Sequence, residues 1–421
     1  MIEEAINALA GEMKALLQTA IGFQSISGRE GPFTTFLADW AAKKGFTVDL
    51  WQAREEELPF PLSQKHIPLA GRPTLVIRRP AADSNLRSLL FNAHADVVSA
   101  PDPDKWIVDP WSGREIDGRI FGRGACDVKG GLVSALWALC ALSSNSQNAP
   151  RGEIIVEVIP GEEDCVGLGT LTSIVRGYTA DAAIVLEPTE SLPRNASRGG
   201  CRFEITASGK AVHGTVKWLG RDAIGLMRKI LESLELIEKK WNALPRTQAF
   251  AAYPILRPIT VDSLKGGQWQ GMVCDQCVCA GYLELLPDDD REKWKNEFHS
   301  ELLLALTGLG VLEPNGIEIK FSEQYDGHHT SPESQLCRIA EQPVLATTDA
   351  KSRWNGWIGF NSGCEAGVRW AHRKTPTLVW GPGSLAQAHA IDEYVVFAEV
   401  QQTARLLAQF AAQWCGTVKD V

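Results

Sequence analysis

The feature that most constrains the fold of this chain is a series of short apolar runs, each ended by a polar or glycine-rich break. Helix-like stretches lie between the runs, for example at residues 131–142. Short apolar runs are typical of strands buried on both faces, and their alternation with helices is typical of a parallel sheet covered by helices. The pattern therefore predicts an α/β fold with a mixed, mostly parallel sheet flanked by helices. The predicted strands are residues 74–79, 88–93, 153–159, 181–186 and 377–380.

A different pattern begins near residue 199 and ends near residue 322. It contains strands and amphipathic helices in the order β-α-β-β-α-β, which is typical of a ferredoxin-like α+β domain with a four-stranded sheet. No low-complexity linker separates this segment from its flanks, and 421 residues exceed what a single hydrophobic core usually serves. We therefore predict an inserted domain. The predicted parts are 1–198 and 323–421 for the α/β domain and 199–322 for the insertion.

Charge and the N-terminal residues argue against several classes of protein. The chain has 42 Lys and Arg against 51 Asp and Glu, a net charge of −9, whereas sequence-independent nucleic-acid binding needs a basic surface. No uninterrupted apolar stretch approaches the roughly 20 residues that span a bilayer. The first residues are amphipathic and acidic, unlike a signal peptide. We therefore expect a cytoplasmic protein with mostly reduced cysteines and with neither nucleic-acid nor membrane partners.

A cysteine cluster and a glycine-rich stretch resemble a metal site and a phosphate loop, but their residues do not favour either function. Cys274, Cys277 and Cys279 resemble half of a metal site, but no second pair follows at the required spacing, so buried cysteines in a strand are favoured. The glycine-rich stretch 118–131 resembles a phosphate loop, but it lacks that loop's spacing and its Lys-Ser/Thr. Its glycines instead permit a tight turn that brings Asp127 toward other polar groups.

Histidine or carboxylate side chains follow four of the predicted strands. Ligands of open α/β sheets bind outside the carboxyl ends of the strands, so we expect these side chains at one edge of the sheet. The glycine-rich turn adds one more carboxylate. The residues are His94 and Asp96, Glu162 and Glu163, Glu187, and His389, with Asp127 from the turn.

This inventory suits two zinc ions, because zinc binds imidazole nitrogen and carboxylate oxygen and a catalytic site leaves a position for water. A carboxylate can bridge two cations and a histidine cannot, so Asp127 is the candidate bridge. A bound metal lowers the pKa of water to about 7. Glu162, beside the candidate ligand Glu163, is available to take the proton of that water and to pass it to a leaving amine.

The motifs HADVV, GRGACDVKGG, PGEED, LEPT and GPGSLAQAHAIDE resemble those of the M20 family of metallo-aminohydrolases, in family order from about residue 88 to the C-terminus. That family includes acetylornithine deacetylase, succinyl-diaminopimelate desuccinylase, aminoacylases and carboxypeptidase G. The resemblance implies two Zn²⁺ ions, with Co²⁺ as a substitute, and Glu162 as the general base. The implied ligands are His94, Asp127 and Glu187 for one ion, and Asp127, Glu163 and His389 for the other.

The resemblance also implies roles for two further residues. The carboxylate of Asp96 is expected to accept a hydrogen bond from the far nitrogen of His94 and to fix its tautomer. The insertion is expected to be a lid or dimerisation domain, and the stretch GKAVHG places His213 where the family uses a lid histidine to polarise the scissile carbonyl. In dimeric members this histidine often reaches the site of the partner subunit, so a homodimer formed through the lid is the implied assembly.

The stretch GFNSGCEAGVRW resembles the acetylornithine deacetylase branch, which implies deacylation of an N-acyl amino acid similar to N-acetylornithine. Glu365 is then a candidate contact for a substrate amine, or it orders its loop through hydrogen bonds. Arg198 and Arg369 either contact a substrate carboxylate or form salt bridges. Many members carry an arginine in the last central strand of the lid, and here Glu284 occupies the comparable position.

Other functions remain open at this stage. A dipeptidase, a carboxypeptidase or a desuccinylase of the same family, acting on a short peptide or another N-acyl group, uses the same metals. A non-catalytic metal or amino-acid binding protein is a more distant alternative. Five histidines lie outside these motifs, and we assign them no functional role. They are His66, His299, His328, His329 and His372.

Overall fold

The structure is a computed structural model that describes residues 2–54, 69–144, 150–164, 167–245, 247–311 and 315–416. The chain divides into two compact units. Unit 1 comprises Met1–Ser197, His328–Phe360 and Cys364–Val421, and unit 2 comprises Arg198–Gly327 and Asn361–Gly363. Unit 2 thus interrupts unit 1 along the chain. His66 lies outside the described residues, whereas His299 and His372 are exposed.

The helices and strands are numbered in chain order. The helices are α1 (Ile2–Ala8), α2 (Ala10–Gly22), α3 (Gly31–Lys43), α4 (Gly130–Ser143), α5 (Leu168–Val175), α6 (Ala223–Asn242), α7 (Arg291–Gly308), α8 (Gln335–Ala346), α9 (Thr348–Arg353), α10 (Glu365–Arg373) and α11 (Phe397–Trp414). The strands are β1 (Thr47–Trp51), β2 (Thr74–Arg79), β3 (Leu89–His94), β4 (Glu115–Ile116), β5 (Arg119–Phe121), β6 (Ile154–Ile159), β7 (Ala182–Val185), β8 (Ala196–Ser197), β9 (Gly199–Ser208), β10 (Ile259–Gly266), β11 (Gln276–Leu285), β12 (Ile317–Tyr325), β13 (His328–His329), β14 (Thr377–Val379) and β15 (Tyr394–Val396).

The main sheet of unit 1 has six strands in the order β1-β2-β6-β3-β7-β14. Strands β6, β3, β7 and β14 pair in parallel, and β2 is antiparallel to both of its neighbours. Every side chain of β3, β6, β7 and β14 is buried, which explains why both faces of these strands are mostly apolar in the sequence. The buried polar exceptions are Asn92, His94, Glu157 and Thr377. The predicted α/β class with a mostly parallel sheet is confirmed. The carboxyl ends of the four parallel strands meet at one edge.

Helix α4 is the central helix of unit 1, and it packs against α11. Its residues Gly130–Leu142 are all buried, and burial of a large apolar side chain contributes roughly 1.5–3 kcal/mol. Trp137 stacks on Phe397 with ring centroids 5.7 Å apart and donates a hydrogen bond to the carbonyl of Ile6. The stretch Ala125–Ser143 is long and apolar enough to cross a membrane, but all of its apolar window is buried in the protein, as in a core helix.

Unit 2 contains the sheet β10-β11-β9-β12, in which all neighbours are antiparallel. With α6 between β9 and β10, and α7 between β11 and β12, the element order is the β-α-β-β-α-β order of a ferredoxin-like domain. The helices pack through aromatic residues, with Trp241 edge-on to Trp294 at 4.7 Å between centroids. The three cysteines of the sequence cluster are buried in the same core, as apolar residues are. They are Cys274, Cys277 and Cys279.

His328 of β13 is a completely buried histidine within unit 1. Its Nε2 lies 3.0 Å from the carbonyl oxygen of Thr377, and its Nδ1 lies 2.8 Å from Oγ of Ser197. A carbonyl only accepts hydrogen bonds, so Nε2 donates and Nδ1 accepts from the hydroxyl, which is the pattern of a neutral ring. Burial lowers the pKa of His328 from 6.5 to about 4, against the opposing effect of the bond to Thr377.

We expect the buried His328 to make the protein less stable as the pH falls from 6.5 toward 4. Its pKa is lower in the folded state, so the unfolded chain binds the proton first, and the free energy of unfolding falls by about 3 kcal/mol by pH 4. In His328→Gln this part of the pH dependence should disappear. Urea unfolding at pH 7 and at pH 4 measures the loss of unfolding free energy between the two pH values. The exposed His329→Gln is the control, and it should lose as much as the wild type. An equal loss in His328→Gln and His329→Gln would contradict the prediction.

Candidate metal centre and active site

The predicted site residues of unit 1 lie at the carboxyl edge of its main sheet. His94 is the last residue of β3, Glu162 and Glu163 follow β6, and Glu187 follows β7. His389 lies in the loop after β14. Parallel neighbours in the order β6-β3-β7-β14 end at the same edge, so the topology brings these segments together.

Asp127 reaches this edge from the glycine-rich turn that precedes α4. Gly124, with φ of 79°, occupies the left-handed region that glycine adopts without strain. The start of α4 lies close to the end of β7, because a Cβ built on Gly131 would lie 2.3 Å from the carbonyl oxygen of Leu186. Only a glycine fits such a close backbone approach, so the glycines in this stretch serve to place Asp127 beside the strand ends.

The ligand atoms form two groups that share Asp127. One group contains His94, Asp127 and Glu187, and the other contains Asp127, Glu163 and His389, with all ligand atoms of a group within 4.8 Å of one another. Oδ1 of Asp127 lies 3.0 Å from Nε2 of His94, and Oδ2 lies 3.5 Å from Nε2 of His389. The two oxygens of one carboxylate therefore face different groups, which is the arrangement that a bridging ligand needs.

The site concentrates negative charge in a buried place. Burial, reinforced by neighbouring carboxylates, raises the pKa of Glu162 well above its ordinary value and raises that of Glu187 to about 8. Burial and the nearby Asp127 raise the pKa of Glu163 in the same direction. Buried carboxylates are costly unless a cation compensates them. The crowding therefore favours a positively charged occupant.

The neighbouring acids raise the pKa of both histidines, His94 and His389. Burial opposes a charge on His94, but the hydrogen bond to Asp127 and the surrounding carboxylates raise the pKa of its ring well above the ordinary value. The hydrogen bond to Glu163, 3.0 Å from Nε2, raises the pKa of His389 to about 9. Burial raises the pKa of Asp127, but the two imidazoles outweigh it and lower that pKa. The donor set contains two imidazoles and three carboxylates, arranged as two groups that share Asp127, and it fits two divalent cations.

The structure corrects the expected contact between Asp96 and His94. Nδ1 of His94 lies 2.9 Å from the backbone carbonyl oxygen of Asp96 and 3.8 Å from the nearer carboxylate oxygen. The carbonyl fixes the tautomer, since Nδ1 must donate and Nε2 is left to face Asp127. The carboxylate of Asp96 instead accepts hydrogen bonds from the backbone N–H groups of Glu162 and Glu163, both at 3.1 Å. Asp96 therefore orders the loop that carries both glutamates.

A second network, absent from the sequence predictions, holds the same loop. Arg72 donates to Glu30 (2.9 Å from Nε to Oε1) and to Asp164 (3.0 Å from Nη1 to Oδ2). Arg72 and Glu30 are buried, and Asp164 is the residue directly after Glu163. The acid at the end of PGEED was a signal for this network. No local pattern predicts the role of Arg72, because its partners Glu30 and Asp164 are far from it in the sequence.

Arg369, predicted either to contact a substrate or to form a salt bridge, lies inside unit 1. It is completely buried and forms an ion pair with Glu157 of β6, which also accepts a hydrogen bond from the amide of Asn92 at 2.6 Å. An ion pair of this kind, with both partners inside the protein, has its charge satisfied there. The structure therefore favours the salt-bridge interpretation of Arg369.

Glu365 also has partners inside unit 1. Its Oε1 accepts a hydrogen bond from the N–H of Gly167 at 2.8 Å, and a further bond joins it to the hydroxyl of Thr170. Burial raises the pKa of Glu365 to about 7 despite these bonds. The contacts are those of a residue that orders its loop, which was the alternative to an amine contact.

Arg198 and His213 belong to unit 2. Arg198 is completely buried, donates to Asn361 and to the carbonyl of Leu256, and lies over the ring of Phe250 at 4.7 Å. These donors of Arg198 are thus used inside unit 2, and a substrate contact for Arg198 stays a prediction. His213 is exposed, and its Nδ1 lies 2.7 Å from Oγ1 of Thr215. A carbonyl-polarising role for His213 stays a prediction.

The family model described as "Peptidase family M20/M25/M40" matches residues 90–413. A protein of Halalkalibacterium halodurans named N-formyl-4-amino-5-aminomethyl-2-methylpyrimidine deformylase is 25% identical, over 96% of this chain and 94% of the relative. The acetylornithine deacetylase of Salmonella arizonae is 24% identical, over 93% of each chain.

Solved structures share the architecture. The di-peptidase Dug1p from Saccharomyces cerevisiae has a TM-score of 0.78 and 14% sequence identity, covering 99% of this chain and 98% of its own. An M20 family metallo-carboxypeptidase from Sulfolobus solfataricus has a TM-score of 0.73 and 17% identity, covering 96% of this chain and 99% of its own. At these identities the likeness concerns the fold.

Proposed function

We propose that this chain, which belongs to peptidase family M20/M25/M40 and is a metal-dependent amide hydrolase, removes a short acyl group from a small N-acylated amine. The observation that carries the proposal is the shared carboxylate of Asp127 between two groups of ligands, with Glu162 beside them. In this proposal His94, Asp127 and Glu187 hold one ion, and Asp127, Glu163 and His389 hold the other. Zn²⁺ is the proposed metal, with Co²⁺ as a substitute.

The proposed mechanism assigns the proton transfers to Glu162. When bound, the metals supply Lewis acidity, which polarises the scissile carbonyl and makes water more acidic. Glu162 accepts the proton of the attacking water and delivers it to the nitrogen of the leaving amine, so that the carbon–nitrogen bond breaks to give a carboxylate and an amine. Burial and the neighbouring carboxylates raise the pKa of Glu162, which makes it a stronger base than an exposed glutamate. Asp96 holds the backbone of Glu162 during both steps.

An N-acyl amino acid similar to N-acetylornithine is the first substrate candidate. The acetylornithine deacetylase of Salmonella arizonae and the resemblance of the segment around Glu365 support it. The product would be an amino acid and a carboxylate.

A formylated aminomethylpyrimidine is the second candidate. Deformylases of this compound from Halalkalibacterium halodurans and Bacillus subtilis are each 25% identical to the chain over nearly its whole length. The sequence at Glu284 of β11 favours it as well, because many family members carry an arginine at the comparable position. The carboxylate of Glu284 is engaged inside unit 2, where it accepts a hydrogen bond from Tyr325 at 2.7 Å. An arginine would suit a substrate carboxylate, so its absence favours a substrate that has none. The pyrimidine lacks a carboxylate, and the amino acid has one.

A substrate panel tests the proposal. N-acetyl, N-formyl and N-succinyl amino acids, the N-formyl aminomethylpyrimidine and dipeptides are incubated with the protein and added Zn²⁺ or Co²⁺, and released amine is measured. We expect turnover of N-acetylornithine or of the formyl pyrimidine to exceed that of dipeptides. Faster turnover of dipeptides would establish the peptidase alternative. Two bound metals without hydrolysis of any amide would favour a binding protein and overturn the proposal.

We further propose that residues 199–322 serve as a lid with His213 as its functional residue, and that the protein is a cytoplasmic homodimer joined through this segment. The ferredoxin-like organisation of unit 2 and the exposure of His213 support a surface role. Light scattering coupled to size exclusion measures the assembly. A monomer at all concentrations tested would remove the dimer from the proposal.

A further inference from the structure

We infer that Glu393 and Arg123 form a positioning pair that holds Asp127 and His389 at the spacing that the metal centre needs. The inference rests on the proposed function, because it takes these two residues as metal ligands. Neither Glu393 nor Arg123 carries a role in the sequence prediction, although both lie inside the quoted motifs. Both are buried, Glu393 completely.

The carboxylate of Glu393 accepts four hydrogen bonds. Oε1 accepts from the backbone N–H groups of Cys126 at 2.9 Å and of Asp127 at 3.1 Å. Oε2 accepts from the backbone N–H of Gly124 at 3.0 Å and from Nη1 of Arg123 at 2.6 Å. The turn that carries Asp127 is thus wrapped around this one carboxylate, which contacts the backbone of Asp127 itself.

An ionised carboxylate is well suited to this task. It accepts at both oxygens and donates at neither, so it satisfies three backbone N–H groups of a buried turn. Hydrogen bonds from N–H groups and a guanidinium to a charged acceptor are about twice as strong as neutral ones. A glutamine at this position would present an N–H₂ group to N–H donors on one side. The charge of Glu393 is therefore part of the geometry of the turn.

Arg123 joins this turn to the loop of His389. Its Nη1 bonds Glu393, and its Nη2 donates to the backbone carbonyl of His389 at 3.3 Å. Glu393 follows His389 by four residues, and its own carbonyl accepts from the N–H of Gly122 at 2.8 Å. The guanidinium lies over the ring of Trp106, 5.3 Å from its centroid, which restricts its movement. The Asp127 turn and the His389 loop are therefore joined by hydrogen bonds at both His389 and Glu393.

The tie matters for the metal centre because Asp127 faces both ligand groups, with Oδ1 toward His94 and Oδ2 toward His389. A rotation of the Asp127 backbone changes both ligand groups together. A shift of the His389 loop changes only the group with Glu163. The two members of the pair therefore have distinguishable effects, and this separates a positioning role from a general contribution to folding.

Metal binding measured without substrate tests the inference. Glu393→Gln is titrated with Co²⁺, with the visible spectrum as one readout and competition with a chelator for Zn²⁺ as another. Loss of a residue that orients metal ligands typically weakens metal binding about 10–100-fold, and we expect a loss of this size at both metal positions, with an altered Co²⁺ spectrum. Glu157→Gln is the matched control, since Glu157 is equally buried and paired with Arg369 but contacts no ligand. It should keep wild-type metal affinity.

Arg123→Met is the second variant, and it decides the matter if Glu393→Gln does not fold. It removes the bonds of Arg123 to Glu393 and to the carbonyl of His389. The three backbone bonds that hold the Asp127 turn on Glu393 remain, so we expect weakened binding at the position that includes His389 only. Wild-type metal affinity and spectrum in the variants that fold would overturn the inference, even if they melt at lower temperature. The proposed function fails separately, if the wild type binds two ions but hydrolyses no member of the panel.

Discussion

Glu162→Gln is expected to lower the turnover of the best N-acyl substrate by about 10²–10⁴-fold while the protein keeps its metals, because a general base contributes a factor of this size. The amide has the shape of the carboxyl but accepts no proton from water. The side chain belongs to neither ligand group, so the two groups around Asp127 stay complete. Steady-state kinetics and metal analysis of the same sample measure the two quantities.

The neighbouring variant Glu163→Gln provides the contrast for this experiment. Glu163 belongs to the group with Asp127 and His389, so its replacement should reduce metal content as well as activity. The two adjacent glutamates then separate into a proton carrier and a ligand. Glu162→Gln with wild-type kcat, or with the same metal loss as Glu163→Gln, would show that the assignment of the base is wrong.

Asp127→Asn is expected to abolish binding of both ions, since this carboxylate is the one ligand that the two groups share. His389→Ala removes a ligand from one group only and should leave one ion bound. Without metal the hydrolysis should fall below detection in Asp127→Asn. The metal content after dialysis against a limiting Zn²⁺ buffer measures the difference between the two variants.

Thermal stability gives an independent readout for Asp127→Asn. A ligand that binds only the folded state stabilises it by about 2.7 kcal/mol at one hundred times its Kd. Added Zn²⁺ should therefore raise the melting temperature of the wild type and leave that of Asp127→Asn unchanged. If Asp127→Asn retains one tightly bound ion, Asp127 is a ligand of a single metal, and the shared-carboxylate arrangement is wrong.

The α/β fold was predictable from sequence because of where its strands lie. Strands β3, β6 and β7 are buried on both faces, so each is mostly apolar on both faces, whereas a strand with one exposed face alternates apolar and polar residues. The positions of His94, Glu162, Glu163 and Glu187 in the candidate metal centre were predictable for a related reason. These residues lie at the ends of β3, β6 and β7 or shortly after them, and the ends of parallel strands meet at one edge whatever the details of packing. His94 and Glu187 need no knowledge of distant residues to be placed there.

The supporting contacts were not predictable, because they join residues far apart in the chain. Arg369 pairs with Glu157 across 212 positions, and Glu393 reaches the N–H of Asp127 across 266. Neither pair has a periodicity or a spacing that a sequence pattern records. Asp96 shows a subtler limit: its proximity to His94 was expected, but the backbone carbonyl rather than the carboxylate makes that contact.

Local burial and strand direction are recorded in the sequence, so the class of the fold, the ferredoxin-like insertion and the residue types gathered at the sheet edge could be predicted from it. Which atoms of those residues face one another depends on the three-dimensional packing. Examples are the two oxygens of Asp127, which face separate histidines, and the carboxylate of Asp96, which is turned toward the glutamate loop. The physical reason is that hydrogen-bond partners inside a protein are chosen by distance in space, where burial leaves every donor in need of an acceptor.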